Sequence, residues 1–159
     1  MNEEARERAL RLLDKRDYSR KMLLDKLTEK GVAPADAEEV TDWLCSLGVV
    51  DDVRYAGLVV RHYAAKGYGE RRIRDELYRR GIDKELWDEA LEEMPGQDGA
   101  LDAFLRGRLR GKTDPDSLRR AAAAAQRRGY GWQEVRQALE RLEREEETGT
   151  NKPPGAAWR

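Results

Sequence analysis

The chain has 159 residues, 39% of them hydrophobic and 40% charged, with 31 Lys and Arg against 32 Asp and Glu. A chain of that length and polarity is soluble, has a thin core, and leaves no room for a large enzyme. One histidine, His62, and one cysteine, Cys45, leave no internal disulfide, His pair, Cys/His zinc cluster or conventional Ser/His/Asp triad.

Apolar spacing is helical from the start. Ala5, Ala9, Leu12 and Leu13 recur every three or four residues, and Ala37, Val40, Leu44 and Leu47 do the same after a stop at Gly31. The opening "MNEEARERAL" lacks the apolar middle of a signal peptide, and no run is long enough for a membrane span, so a cytoplasmic protein without a membrane partner is expected. Cys45 lies in "TDWLCSLG" on an apolar helical stretch and reads as core filler.

After Gly48, Asp51 is placed to cap a helix through "VRYAGLVVRHYAAK", whose apolar face carries Tyr55, Val59, Val60 and Tyr63. "GYGERR" at 67–72 has neither the Gly spacing nor the Lys-Ser/Thr ending of a phosphate loop, and reads as a turn into the next helix. That helix stops at Gly81. "MPGQDG" is the clearest joint in the chain; beyond it Asp114 precedes Pro115 as an N-cap does, Gly129 closes a helix, and Val135, Leu139 and Leu142 mark the last one. Trp43, Trp87 and Trp132 each fall in a third helix, where packing is the expected role. The ending "ETGTNKPPGAAWR" is aperiodic and rich in Pro and Gly, which predicts a disordered tail over 148–159.

One frame occurs twice. "RRGIDKELWDEAL" (79–91) and "RRGYGWQEVRQAL" (127–139) share Arg-Arg-Gly, eight varied residues and Ala-Leu, at an offset of 48. The frame marks a repeat of three helices with Gly31, Gly81 and Gly129 each between the second and third. The predicted units are 4–48, 51–94 and 97–147, too small to stand alone without leaning on neighbours. Aligning "GYGERRIRDEL" with "GYGWQEVRQAL" instead would equate a joint between first and second helices with one between second and third, and is rejected.

Charge is close to balanced in each third. Residues 1–50 carry nine basic and eleven acidic side chains, 51–94 again nine and eleven, and 95–159 thirteen and ten. A protein built to grip bare DNA would show a clearer basic excess, so a protein partner fits better and direct DNA binding should be weak. On the helix from Glu70, acids stand four residues before Arg74, Arg79 and Arg80, the favourable order for self-pairing. Arg71 and Arg72 lie in its first turn, against the helix dipole, which points to an anionic partner group. Asp102 precedes Arg106 and Asp116 precedes Arg120 by four, whereas Arg108, Arg110 and Lys112 have no such acid and form the least neutralised cluster. Arg127 and Arg128 sit at a helix C-terminus, where the dipole favours them, and Tyr68 and Tyr130 accompany the basic groups as candidate stacking surfaces.

These stretches together resemble the RecX family, regulators of the bacterial RecA recombinase. The most specific match is the middle unit: "GVVDDVRYA" (48–56), "KGYGERRIRDELYRRGI" (66–82), then Ala90 and Leu91. "RDYSRKMLLDKLTEKG" and "VTDWLCSLG" resemble the family's first unit and "RRGYGWQEVRQAL" its third, so the resemblance spans about 5–145; the run Ala121 to Ala125 departs from it most. The resemblance implies an all-α fold of three tandem three-helix repeats in an elongated, curved array. It implies no cofactor, metal or catalytic site, and a monomer. Such a protein binds the groove of the RecA filament on single-stranded DNA, bridges successive RecA subunits, and inhibits filament extension, ATPase, strand exchange and coprotease activity, which bears on DNA repair, recombination and the SOS response. The candidate contact residues, for RecA or DNA, are Arg54, Lys66, Tyr68, Arg71, Arg72 and Arg74 in the middle unit, with Arg108, Arg110, Lys112, Arg127 and Arg128 in the third. The alternatives are a DNA-binding module acting through the Arg108 to Lys112 cluster, and a helical adaptor for another protein.

Overall fold

The computed structural model describes residues 1–94 and 96–148. Among these every regular element is helical. The first three helices are α1 (Glu3–Lys15), α2 (Arg20–Glu29) and α3 (Pro34–Ser46). The middle group is α4 (Asp52–Ala65), α5 (Glu70–Arg79) and, after a 3-10 turn at Lys84–Leu86, the short α6 (Trp87–Leu91). The last is α7 (Gln97–Leu109), α8 (Pro115–Arg127) and α9 (Trp132–Thr148). The tail expectation for 149–159 lies outside the described residues, and Thr148 still belongs to α9.

Local chemistry accounts for these boundaries. The side chains of Asn2, Ser19 and Asp114 accept hydrogen bonds from the amides of Ala5, Met22 and Ser117, and Asp51 accepts from Arg54 N at 3.2 Å, so helix-start amides find acceptors. At the stops Gly31, Gly81 and Gly129 have φ of 93°, 72° and 100°, a region that glycine enters without the Cβ clash. The middle group's third helix is compressed: Trp87 is buried and donates from Nε1 to Ile82 O at 3.0 Å, pinning the 3-10 turn.

The chain divides into two compact bodies, and the division runs through the middle repeat. One body holds residues 1–62 and 74–93; the other holds 63–73 with the described residues from 94 to 148. In the first, α1, α2 and α3 close over Ala5, Ala9, Leu23, Leu27, Val40 and Leu44. Cys45 packs at the edge of this core, and burial pushes its thiol pKa up, as expected of filler and not of a nucleophile. In the second, α7, α8 and α9 close over Leu101, Leu105, Ala125, Tyr130, Val135 and Ala138. The alanines of α8 let it pack closely there, and Ala121, Ala122, Ala124 and Ala125 are all buried.

Each body contains one joint between repeats, made in the same way. In the first, the turn ending α5 meets the start of α2: Ser19 Oγ donates to Arg80 O at 2.5 Å, and Gly81 lies against the aliphatic chain of Lys21. Asp52 Oδ1 takes the Arg20 amide at 2.8 Å. In the second, the turn ending α8 meets the start of α5: Gly69 N donates to Arg128 O at 2.8 Å and Arg71 N to Gly129 O at 3.1 Å. Arg80-Gly81 and Arg128-Gly129 are the closing residues of the duplicated Arg-Arg-Gly, so the duplication is the plug of a recurring plug and socket.

Candidate partner-binding surfaces

At the joint in the second body, the first turn of α5 already faces carbonyls. Amides at a helix N-terminus attract negative charge, and α8 supplies it through its C-terminal carbonyl groups. The dipole that Arg71 and Arg72 oppose is therefore compensated within the chain, which the sequence could not reveal. Arg72 stacks over the Tyr68 ring at 5.0 Å, and Arg128 stacks over the same ring at 4.9 Å while donating to Lys66 O at 2.9 Å. Tyr68 is thus covered by two guanidinium groups and flanked by Tyr63 at 5.6 Å, so it serves the joint. Arg71, Lys66 and Arg127 are left with exposed side chains.

Tyr130 corrects a sequence expectation. It is fully buried, and its hydroxyl donates to Gly67 O at 2.9 Å, so it cannot stack on an outside base. Burial also raises its pKa above that of an ordinary phenol. Trp132 corrects another: it opens α9 with 54% of its surface exposed, whereas Trp43 and Trp87 pack as expected.

In the first body Arg54 faces Asp17 at 3.4 Å, and Arg74 reaches Asp88 at 3.6 Å. Glu76, buried on α5, takes both Arg79 and Arg80 at 3.4 Å, so Arg79 pairs three residues back and not with Asp75. Arg80 also donates to the Tyr55 hydroxyl at 2.5 Å, fixing that tyrosine in the core. Beside α5 runs an open cleft of 690 Å³ lined by Lys21, Arg79, Lys84, Trp87 and Tyr78, the last 75% exposed. Neither Tyr78 nor Lys84 was singled out by sequence reasoning, because an aromatic at a helical interval reads as core until its face is known.

On α7 and α8 the expected pairs are exchanged. Asp102 accepts from Arg141 at 2.9 Å and Arg106 meets Glu145 at 2.5 Å, both across to α9, and Asp116 pairs with Arg119. Arg120 is thereby released to the cleft where Arg108, Arg110 and Lys112 converge. Spacing at four residues missed it because Asp116 takes Arg119, three residues on along the same helix.

The protein-family comparison matches residues 5–44 to the first three-helix domain of RecX and residues 51–91 to the second. The chain belongs to the RecX family. A regulatory protein RecX of Xanthomonas axonopodis pv. citri is 40% identical over 136 residues, covering 83% of both chains. The regulatory protein RecX of Stenotrophomonas maltophilia is 38% identical over 137 residues, again 83% of each. Among solved structures, RecX from Lactobacillus salivarius superposes with a TM-score of 0.81 over 89% of this chain and 96% of its own, at 18% identity, which supports the fold. The family is one of regulatory proteins, and tandem three-helix domains are its architecture. Among the described residues no helix is long and apolar enough to cross a membrane.

Proposed function

We propose that the protein regulates a RecA recombinase by binding the RecA filament on single-stranded DNA and inhibiting its ATPase, strand-exchange and coprotease activities. The observation that carries this reading is the consecutive match of residues 5–44 and 51–91 to two RecX domains. Its charge balance, with 31 basic and 32 acidic side chains, suits a protein partner of mixed charge better than bare phosphate. On this reading the repeat units 4–48, 51–94 and 97–147 offer exposed Arg and carboxylate groups to successive RecA subunits, with Arg54, Lys66, Arg71, Arg74 and Arg127 among the contacts. The action is occupancy and not catalysis, carried out by a monomer in the cytoplasm.

Co-sedimentation with preformed RecA filaments, alongside the same DNA without RecA, tests this. Pelleting with filaments at physiological salt, together with a fall in RecA ATPase, is the expected result. Equal recovery with and without RecA would transfer the function to DNA.

A further inference from the structure

The recurring joint leaves one socket and one plug unused among the described residues. Ser19, Gly69 and Ser117 each stand twelve residues before the glycine that closes their helix. Two of them give donors to an incoming plug: Ser19 Oγ to Arg80 O at 2.5 Å, and Gly69 N to Arg128 O at 2.8 Å. Ser117 is buried and carries both kinds of donor, but both are taken from within its own helix start. Its hydroxyl donates to Asp114 Oδ1 at 2.7 Å and its amide to Asp114 Oδ2 at 3.1 Å. An added turn makes this possible: α2 and α5 have 10 residues each, whereas α8 has 13 and begins at Pro115. Asp114 thus offers the third socket the oxygens that a plug offers the other two.

The unused plug is closed in the complementary way. Lys30 O, the counterpart of Arg80 O and Arg128 O, accepts from Arg8 Nη1 at 2.7 Å. Gly31 keeps the plug conformation at φ 93°, yet nothing lies within 4 Å of where its Cβ would stand. A Cβ at Gly81 or Gly129 would instead strike Lys21 or Arg72 of a socket.

We propose that Asp114 and Arg8 are end caps, filling the third socket and the first plug from within so that a second copy of this chain cannot dock head to tail. Such an interface joins two different surfaces and does not close on itself, so without caps it would propagate into open chains. The bonds from Ser117, with Arg120 adding to them, hold the Asp114 carboxyl below the usual aspartate range. It is therefore an anion at neutral pH and repels an approaching carbonyl. A carboxylate also competes better than a neutral carbonyl for the Ser117 donors, and the Arg8 guanidinium better than a neutral amide for Lys30 O, because charge-assisted bonds are the stronger ones.

Sedimentation velocity on the full chain tests this with two variants. Asp114→Ser still caps α8 and rebuilds the arrangement at Ser19, whose Oγ accepts from Met22 N while donating to the plug. Arg8→Ala frees Lys30 O without loss of helix propensity. Each variant alone should sediment as a monomer, like the parent. The two mixed should form a dimer, and the double variant a ladder of longer species. Two hydrogen bonds regained per contact should raise the association constant about 25-fold over that of the parent. Adding Gly31→Ala to the double variant should abolish the ladder, because the methyl group would strike the socket. Monomers throughout, with melts intact, would overturn the proposal. So would self-association of either single variant, which would mean a symmetric contact elsewhere. If Asp114→Ser unfolds, Asp114→Gly, which places at this cap the residue type of the second socket, must give the same pattern or the proposal fails. RecA is absent from the assay, so its outcome is distinct from that of the RecA reading.

Discussion

Gly69 and Gly129 touch backbone to backbone: a Cβ built on Gly69 would lie 2.6 Å from the carbonyl carbon and oxygen of Gly129, and one on Gly129 would lie 2.5 Å from Arg72 N. Neither position has room for a methyl group. Gly129 also holds φ 100°, so it meets two independent demands, whereas Gly31 at φ 93° has nothing within 4 Å of its missing Cβ.

Gly129→Ala should therefore destabilise the protein by about 3 to 5 kcal/mol, combining backbone strain with overpacking, while Gly31→Ala carries the strain alone at about 1 to 2 kcal/mol. Urea melts of the two variants check this. Equal losses would mean that the joint yields at no cost.

The equivalent joint in the first body rests on Ser19, a fully buried residue whose hydroxyl accepts from Met22 N at 3.2 Å and donates to Arg80 O at 2.5 Å. Ser19→Ala removes a helix cap and leaves a carbonyl without its donor, for an expected loss of about 1 to 3 kcal/mol in denaturant unfolding. Ser19→Thr, which keeps the hydroxyl, should recover part of it.

Tyr130→Phe removes only the hydroxyl bond to Gly67 O and should cost about 0.5 to 1.5 kcal/mol at neutral pH. Burial raises the folded-state pKa of Tyr130 above the unfolded value, so its contribution is intact below the ordinary phenol range and is lost as pH climbs through the folded value. The gap in melting temperature between parent and Tyr130→Phe should narrow in that alkaline window.

Asp114 shows the opposite sign. Hydrogen bonds from the Ser117 hydroxyl and amide hold its carboxyl below the usual aspartate range. The stability it confers on α8 is present above the unfolded pKa and lost as pH falls through the folded one. Asp114→Ala should melt lower than the parent at neutral pH, with the difference shrinking in acid.

Arg71 and Arg72 should part company. The exposed Arg71 should tolerate Glu within about 0.5 kcal/mol, whereas Arg72→Glu gives up the stack on Tyr68 and should cost about 0.5 to 2 kcal/mol. If Arg71 meets RecA as proposed, Arg71→Glu should weaken inhibition of RecA ATPase with its melt unchanged. Full inhibition by that variant would remove Arg71 from the contact surface.

Helix positions, caps and stops were legible because each rests on short-range chemistry: a hydroxyl or carboxylate three residues before an amide, a glycine where φ turns positive, an apolar residue every three or four. Cys45, Asp114 and Gly81 behave as their local context predicted. The duplicated Arg-Arg-Gly was visible as a repeat, and its use as a plug was not, because the bonds Ser19–Arg80 and Tyr130–Gly67 join residues 61 and 63 apart in the chain. Long separation also hid the fate of Tyr130, drawn into a joint, and of Asp102 and Arg106, which pair with Arg141 and Glu145, each 39 residues away, whereas Arg120 lost Asp116 to Arg119 on its own helix. Spacing within one helix says which charges could pair; only the packing of a second helix against it decides which ones do, since a carboxylate on a neighbouring helix can lie closer than one four residues away on the same helix.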